Sequence, residues 1–202
     1  MYIFGYSGHS YVIIEALLDL GHVIHGYFDI KEATKNPYKL KYVGHENMPD
    51  LADIIGDCYV FPSVGDALIR MKLISIFREN NFNEFALIDP TARISPTASI
   101  GLSSFVGKGS IINALAQVGS GCIVNTNAIL EHECVIGEYV HIAPGAILCG
   151  GVVLGKNVMI GANSVVRQGV SICSNVMIGA GSVVVKDIEN EGTYFGNPVK
   201  LK

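Results

Sequence analysis

The sequence predicts an α/β domain followed by an all-β parallel solenoid, and two observations carry that prediction. From Ile88 to Val184 every sixth residue is aliphatic, seventeen in succession with no slip. Residues 1–87 instead alternate short apolar runs with amphipathic ones, punctuated by glycine. A strict period of six fits neither the 3.6-residue turn of a helix nor a series of hairpins. It is the mark of stacked hexapeptides.

The front elements follow in order. Tyr2–Phe4 predicts a strand, Gly5-Tyr-Ser-Gly8-His9-Ser10 a glycine loop, and Ser10–Leu20 an amphipathic helix stopped by Gly21. Val23–Phe28 predicts a second strand ending at Asp29. This βαβ-like unit sets a phosphate-friendly loop at a helix N-terminus, with an acidic residue 21 positions after Gly8. The spacing is Gly-x-x-Gly and the later glycine of a dinucleotide fingerprint is missing, so a ligand with one nucleotide half, such as a uridine diphosphate, fits better than NAD. A strand Tyr59–Pro62 then leads through Gly65 to a helix Ala67–Asn80. Gly65 is a second place where backbone could approach a ligand, the alternative for both glycine turns being tight turns without one. The expected division is a Rossmann-like domain over 1–87, a solenoid over 88–187 and a tail over 188–202.

In each hexad the aliphatic residue points into a narrow core. A small residue (Ala, Ser, Cys or Val) stands four places on, and Gly or Asn supplies freedom at the corner.

Composition excludes several classes. Half the chain is hydrophobic, 16% is charged and the net charge is −4, all of it in residues 1–87. That argues against nucleic acid or an anionic membrane as partner. The longest uncharged stretch, Ile111–Leu130, is broken by Asn113, Gln117, Asn125 and Asn127 and is no membrane helix. With no basic leader and no paired cysteine spacing, the expectation is a cytoplasmic protein whose five cysteines are buried thiols, with no metal site.

Only two histidines, His132 and His141, fall in the solenoid. His132 lies between Glu131 and Glu133, and a nearby carboxylate holds one imidazole tautomer and raises its basicity. It is either a solvated rung or a general base. Eighteen residues on, one coil higher, is Gly150, which either relieves a crowded corner or lets a thioester carbonyl reach a backbone N–H. His9 in the glycine loop could contact a phosphate or simply be exposed.

The hexads resemble the left-handed parallel β-helix of the hexapeptide-repeat acyltransferases, in which three hexads make one triangular coil and three chains commonly form a trimer. Four further features resemble, more narrowly, the sugar acetyltransferases of the PglD/NeuD type. These are the loop G-Y-S-G-H-S, the turn V-G-D-A-x-x-R, the block L-E-H-E-C-V-I-G-E-Y-V-H-I-A-P-G-A and the closing F-G-N-P-V-K. The resemblance implies acetyl-CoA as co-substrate, no metal, a homotrimer, and N-acetylation of a UDP-linked amino-dideoxy sugar. It implies His132 as general base with Glu133 raising its basicity, and acetyl-CoA contacts at His141, Gly150, Ala162 and Ala180. It places the nucleotide sugar at Ser7, Gly8, His9, Asp29 and Gly65. This chain departs from the family's usual pattern at Ile30, where a second acid often follows Asp29, and at Asp66-Ala67, where an Asn is often found. O-acetylation of a sialic acid and a non-catalytic sugar-nucleotide scaffold are the alternatives. A zinc enzyme of the γ-carbonic anhydrase kind needs three histidines, and the solenoid offers two.

Overall fold

A computed structural model describes all of residues 1–202. The front domain is a four-stranded parallel sheet of β1 (Tyr2–Phe4), β2 (Gly26–Phe28), β3 (Tyr42–Gly44) and β4 (Val60–Pro62), in the order β3-β2-β1-β4. Three helices accompany it: α1 (Gly8–Asp19), α2 (Leu51–Ile55) and α3 (Ala67–Glu79). Strand β2 is shorter than its apolar run because β1, its parallel partner, begins opposite Gly26. Val23 lies before that pairing, its carbonyl accepting only from the Met1 amino group at 2.9 Å, and its side chain stands exposed. Helix α1 begins two residues before the predicted start. The Ser10 hydroxyl accepts from the Ser7 N–H at 2.8 Å and donates to the Ser7 carbonyl at 2.6 Å, closing the first turn.

From Leu87 the chain coils as a left-handed β-helix. Two- and three-residue strands stack into three flat sheets, and each residue pairs with the one eighteen positions on, as Ile123 does with His141. The aliphatic column, with the small residues four places on and Ile188, makes a continuous core of 25 buried residues. Each fully buried Ile, Leu or Val contributes about 1.5–3 kcal/mol.

The glycines fall into two kinds. Gly161, directly after its aliphatic residue, lies so close to the next coil that a Cβ would meet the Ala180 nitrogen at 2.5 Å. Corner glycines such as Gly151 instead have φ near +66°, the left-handed region. Asn127, Asn157, Asn163 and Asn175 occupy equivalent left-handed corners, as their tolerance of that region allows. The tail is not featureless: Gly192–Gly196 and Val199–Leu201 form an antiparallel hairpin that extends one sheet.

The front domain docks on one face of the prism, the sheet that holds Phe105–Val106, Ile123–Val124 and His141–Ile142. Phe105 and Ile123 pack there with Ile3, Ile13 and Phe61. Arg70 of α3, 1% exposed, is the polar strut of this joint. Its Nε donates to the Gly121 carbonyl at 2.6 Å and its guanidinium to the carbonyls of Tyr139 at 3.1 Å and Gly65 at 2.9 Å. Burial pulls its pKa down to about 10, so it stays protonated at neutral pH. All five cysteines are free, but only Cys122 and Cys134 are fully buried. Cys58, just before β4, and Cys149 and Cys173, where solenoid strands run into corners, are half-buried, against the expectation of five interior thiols.

Candidate active site

The candidate residues fall into three places. His132 and Glu133 occupy the prism edge opposite the docked face, between the strands Ile129–Leu130 and Val135–Ile136. Glu133 Oε2 is 3.0 Å from His132 Nδ1, and the side chains are 64% and 52% exposed. A carboxylate at Nδ1 fixes the proton there and leaves the Nε2 lone pair outward. Glu133 holds a left-handed backbone, φ 60°, at a corner position filled elsewhere mostly by Gly or Asn. That conformation disfavours a residue with a long side chain by about 1 kcal/mol. No local fold requirement explains a glutamate there; its contact with His132 does.

Gly150 stacks on this corner in the next coil. A Cβ on Gly150 would lie 2.5 Å from both Cε1 and Nε2 of His132. The glycine thus admits the imidazole ring, a crowded corner of the kind the sequence offered as one alternative, with His132 as the group that crowds it. Its own N–H donates to no acceptor in the chain.

The second place is the seam beneath the front domain. His141 Nε2 is 3.2 Å from Asn125 Nδ2. Asn125 Oδ1 is already held by the Thr126 N–H at 2.8 Å, so its amide NH₂ faces the ring, Nε2 must accept, and the His141 proton sits on Nδ1. His9 is neither exposed nor free at the loop surface. Its ring lies 6.0 Å from that of Phe105 and 6.4 Å from that of His141, and its Nε2 is buried without a partner. Burial first, then the Arg70 charge, lowers both histidines to about 4. His141 and Gly65 line a groove of about 470 Å³ with Tyr139, Met159, Met177 and Leu68. Ala162 and Ala180 stack at the corner that follows this face, and neither N–H has a partner within the chain.

The third place is a cavity of about 290 Å³ at the carboxyl ends of the front strands, lined by Ser7 and Asp29 among others. Asp29 Oδ2 accepts from the Tyr6 N–H at 2.8 Å and Oδ1 from the Ile30 N–H at 2.7 Å, so its first task is to hold the glycine loop. Gly8, at the first turn of α1, has open space where a Cβ would be, which leaves that turn accessible to a phosphate.

Within one chain, then, His141 and Gly65 come together and Ser7 and Asp29 come together. His132, Glu133 and Gly150 stand on the far side of the prism from both. Sequence reasoning missed Arg70 as a strut, and the R of V-G-D-A-x-x-R was the only signal that could have found it. No group of three His, Cys, Asp or Glu side chains is placed to hold a metal ion. No helix is long and apolar enough to cross a membrane.

A parallel-sheet domain with an open helix N-terminus, joined to a left-handed β-helix carrying an exposed His–Glu corner, defines the hexapeptide-repeat transferase class. Comparison with known proteins narrows this. A PglD N-terminal domain profile matches residues 1–77, and a bacterial transferase hexapeptide (six repeats) profile matches 115–150 and 151–186. The chain is 32% identical to PerB from Caulobacter crescentus, solved with CoA and GDP-perosamine, over 100% of this chain and 96% of that one, with a TM-score of 0.93. It is 30% identical to the acetyltransferase domain of PglB from Neisseria gonorrhoeae FA1090, solved with acetyl coenzyme A, over 100% and 98%, with a TM-score of 0.90. WeeI from Acinetobacter baumannii AYE, at 20% identity and a TM-score of 0.81 over 100% and 98%, shares the fold. A comparison with curated proteins gave no significant match. The chain belongs to the PglD/NeuD-type sugar acetyltransferases of the hexapeptide-repeat superfamily.

Proposed function

We propose that this protein transfers the acetyl group of acetyl-CoA to the amine of a nucleotide-linked amino-dideoxy sugar, with His132 as general base. The observation that carries the reading is the His132–Glu133 pair seated on Gly150 at an exposed edge. The amine nitrogen attacks the thioester carbonyl while His132 Nε2 takes its proton; the C–N bond forms, the C–S bond breaks, and the proton passes to the departing sulfur. Glu133 keeps the Nδ1 proton in place throughout. The unpartnered Gly150 N–H is available to the oxyanion. Ala162 and Ala180 N–H groups and the His141 groove suit an extended, amide-bearing cofactor such as acetyl-CoA. Ser7, Gly8, His9, Asp29 and Gly65 form or brace the sugar-nucleotide end, His9 from within the seam.

The base and the acceptor-holding domain lie on opposite sides of one chain, so this reading requires the site to be completed between copies. Val135 and Val153, stacked and exposed beside the His132 corner, offer an apolar face for a second copy. A homotrimer, the closed arrangement a three-faced prism favours, meets both needs. The resemblance implies a UDP carrier; the relative solved with an acceptor holds GDP-perosamine. Reaction in the cytoplasm, where acetyl-CoA is available, fits the reading.

The test is thiol release from acetyl-CoA with an acceptor panel of GDP-perosamine, UDP-4-amino-dideoxy sugars and free or CMP-linked sialic acids. Release with a nucleotide amino sugar supports the reading. Release with sialic acids alone, or with none, overturns it.

A further inference from the structure

The cavity that would take the nucleotide contains a buried carboxylate that the reaction does not use. Glu46, two residues past β3, is 9% exposed, and with Lys72 of α3 it lines the same space as Ser7 and Asp29. Lys72 Nζ donates to Glu46 Oε1 at 2.9 Å, and His45 Nε2 lies 3.4 Å from Oε2. Burial pushes the Glu46 carboxyl up, but Lys72, its own backbone N–H and the neighbouring His45 more than offset this and hold it below the usual carboxylate range. It is an anion at neutral pH.

An anion in this cavity is a problem for a diphosphate, which like charge would repel. The phosphates therefore belong at the glycine loop and the open first turn of α1, and Glu46 must face another part of the ligand. An ionised carboxylate only accepts hydrogen bonds, so that part must present donors. Lys72 Nζ supplies a donor beside two acceptor oxygens of Glu46, Oε1 at 2.9 Å from it and Oε2 at 3.4 Å from His45 Nε2. Guanine presents the complement along one edge: O6 accepts, N1–H donates and the N2 amine donates. Uracil presents acceptor, donor, acceptor, which would set its O2 against a carboxylate oxygen. Ile30 and Ile69, both exposed and lining the same cavity, supply apolar walls for a planar base. A second acid in place of Ile30 would remove one wall.

We propose that Glu46 and Lys72 read the nucleobase and select a guanosine diphosphate sugar over a uridine one. The proposal rests on the nucleotide-sugar reading of this cavity and adds the identity of the base.

Calorimetry of the full-length protein with GDP and with UDP tests it without any acetyl transfer. GDP is expected to bind about ten- to a hundredfold tighter than UDP, the range a bidentate base contact supplies. In Glu46→Gln, which puts an NH₂ where an acceptor was, that ratio should fall to within about threefold while the melting temperature stays near wild type. Lys72→Met should weaken GDP and UDP alike, since O6 of guanine and O4 of uracil both accept at that position, and leave the ratio within about threefold of wild type. UDP binding as tightly as GDP, or an unchanged ratio in folded Glu46→Gln, overturns the base assignment and leaves the transferase reading intact. Binding of neither nucleotide overturns both. A GDP preference in a protein that acetylates no acceptor sustains the base assignment and overturns the transferase reading.

Discussion

His132 and His141 stand nine residues apart on one solenoid, half a coil, and so on opposite sides of it. His132 is half-exposed at an edge, its Nδ1 held by Glu133 and its Nε2 free. His141 lies under the front domain, its Nε2 accepting from Asn125, with His9 and Arg70 close by. Burial first, then the Arg70 charge and the neighbouring His9, brings His141 to about 4. A base must be reachable and must have somewhere to hold its second proton. The edge provides both; the seam lets a ligand reach His141 but, with Arg70 close by, disfavours a second proton on it. His141 can still donate through Nδ1–H to a bound cofactor. Place in the coil, more than residue type, separates the two roles.

The largest effect expected of this contrast is in His132→Ala, which should lose about 10²–10⁴ in kcat/KM. Acetyl-CoA affinity by calorimetry and the melting temperature should hardly change, because the ring is a surface group. Arg70→Met attacks the contrast from the buried side. Stranding carbonyls that Arg70 now satisfies should destabilise the fold by about 3 kcal/mol. With the front domain loosened, the His141 titration followed by NMR should move up from about 4 toward the ordinary imidazole range. Gly150→Ala should cost about a hundredfold in kcat, since the new methyl displaces the His132 ring by an ångström or more. Its effect on KM for acetyl-CoA should be much smaller. Glu133→Gln keeps a hydrogen-bond acceptor but removes the charge, and about a tenfold fall in kcat is expected.

The last effect is on stability against pH. His9 and His141 have folded values near 4, below the unfolded 6.5, so the unfolded chain binds more protons between those limits. Their contribution is complete above about pH 6.5 and declines as pH falls toward 4. Thermal melts should show the melting temperature dropping from pH 7 to pH 5, and His141→Gln should flatten that drop. A steeper drop in the variant would contradict the seam's assigned role.

Much of this was legible in the residues. The unbroken six-residue column fixes which side chains enter the solenoid core, and the His-Glu block with Gly150 eighteen residues on marks a stacked corner. The front strands and long helices were legible within a few residues, because glycine and the apolar runs bound them. Strand β3 and helix α2 were not: three and five residues, one of them a glycine, carry too little pattern. Nor could the sequence place His9 against His141, or Glu46 against Lys72, since each pair joins elements far apart in the chain. The glycines after the aliphatic residues read as turn formers, yet Gly161 is there because the next coil's backbone leaves no room for a side chain.

The central claim is that the base of one copy serves an acceptor held by another. Co-expression of His132→Ala with Ser7→Trp, the indole filling the nucleotide cavity, tests it most directly. Each variant alone should release thiol from acetyl-CoA with GDP-perosamine at least about a hundredfold more slowly than wild type, and mixed oligomers confirmed by native mass spectrometry should recover activity. Mixed oligomers that stay as inactive as the parents would contradict it.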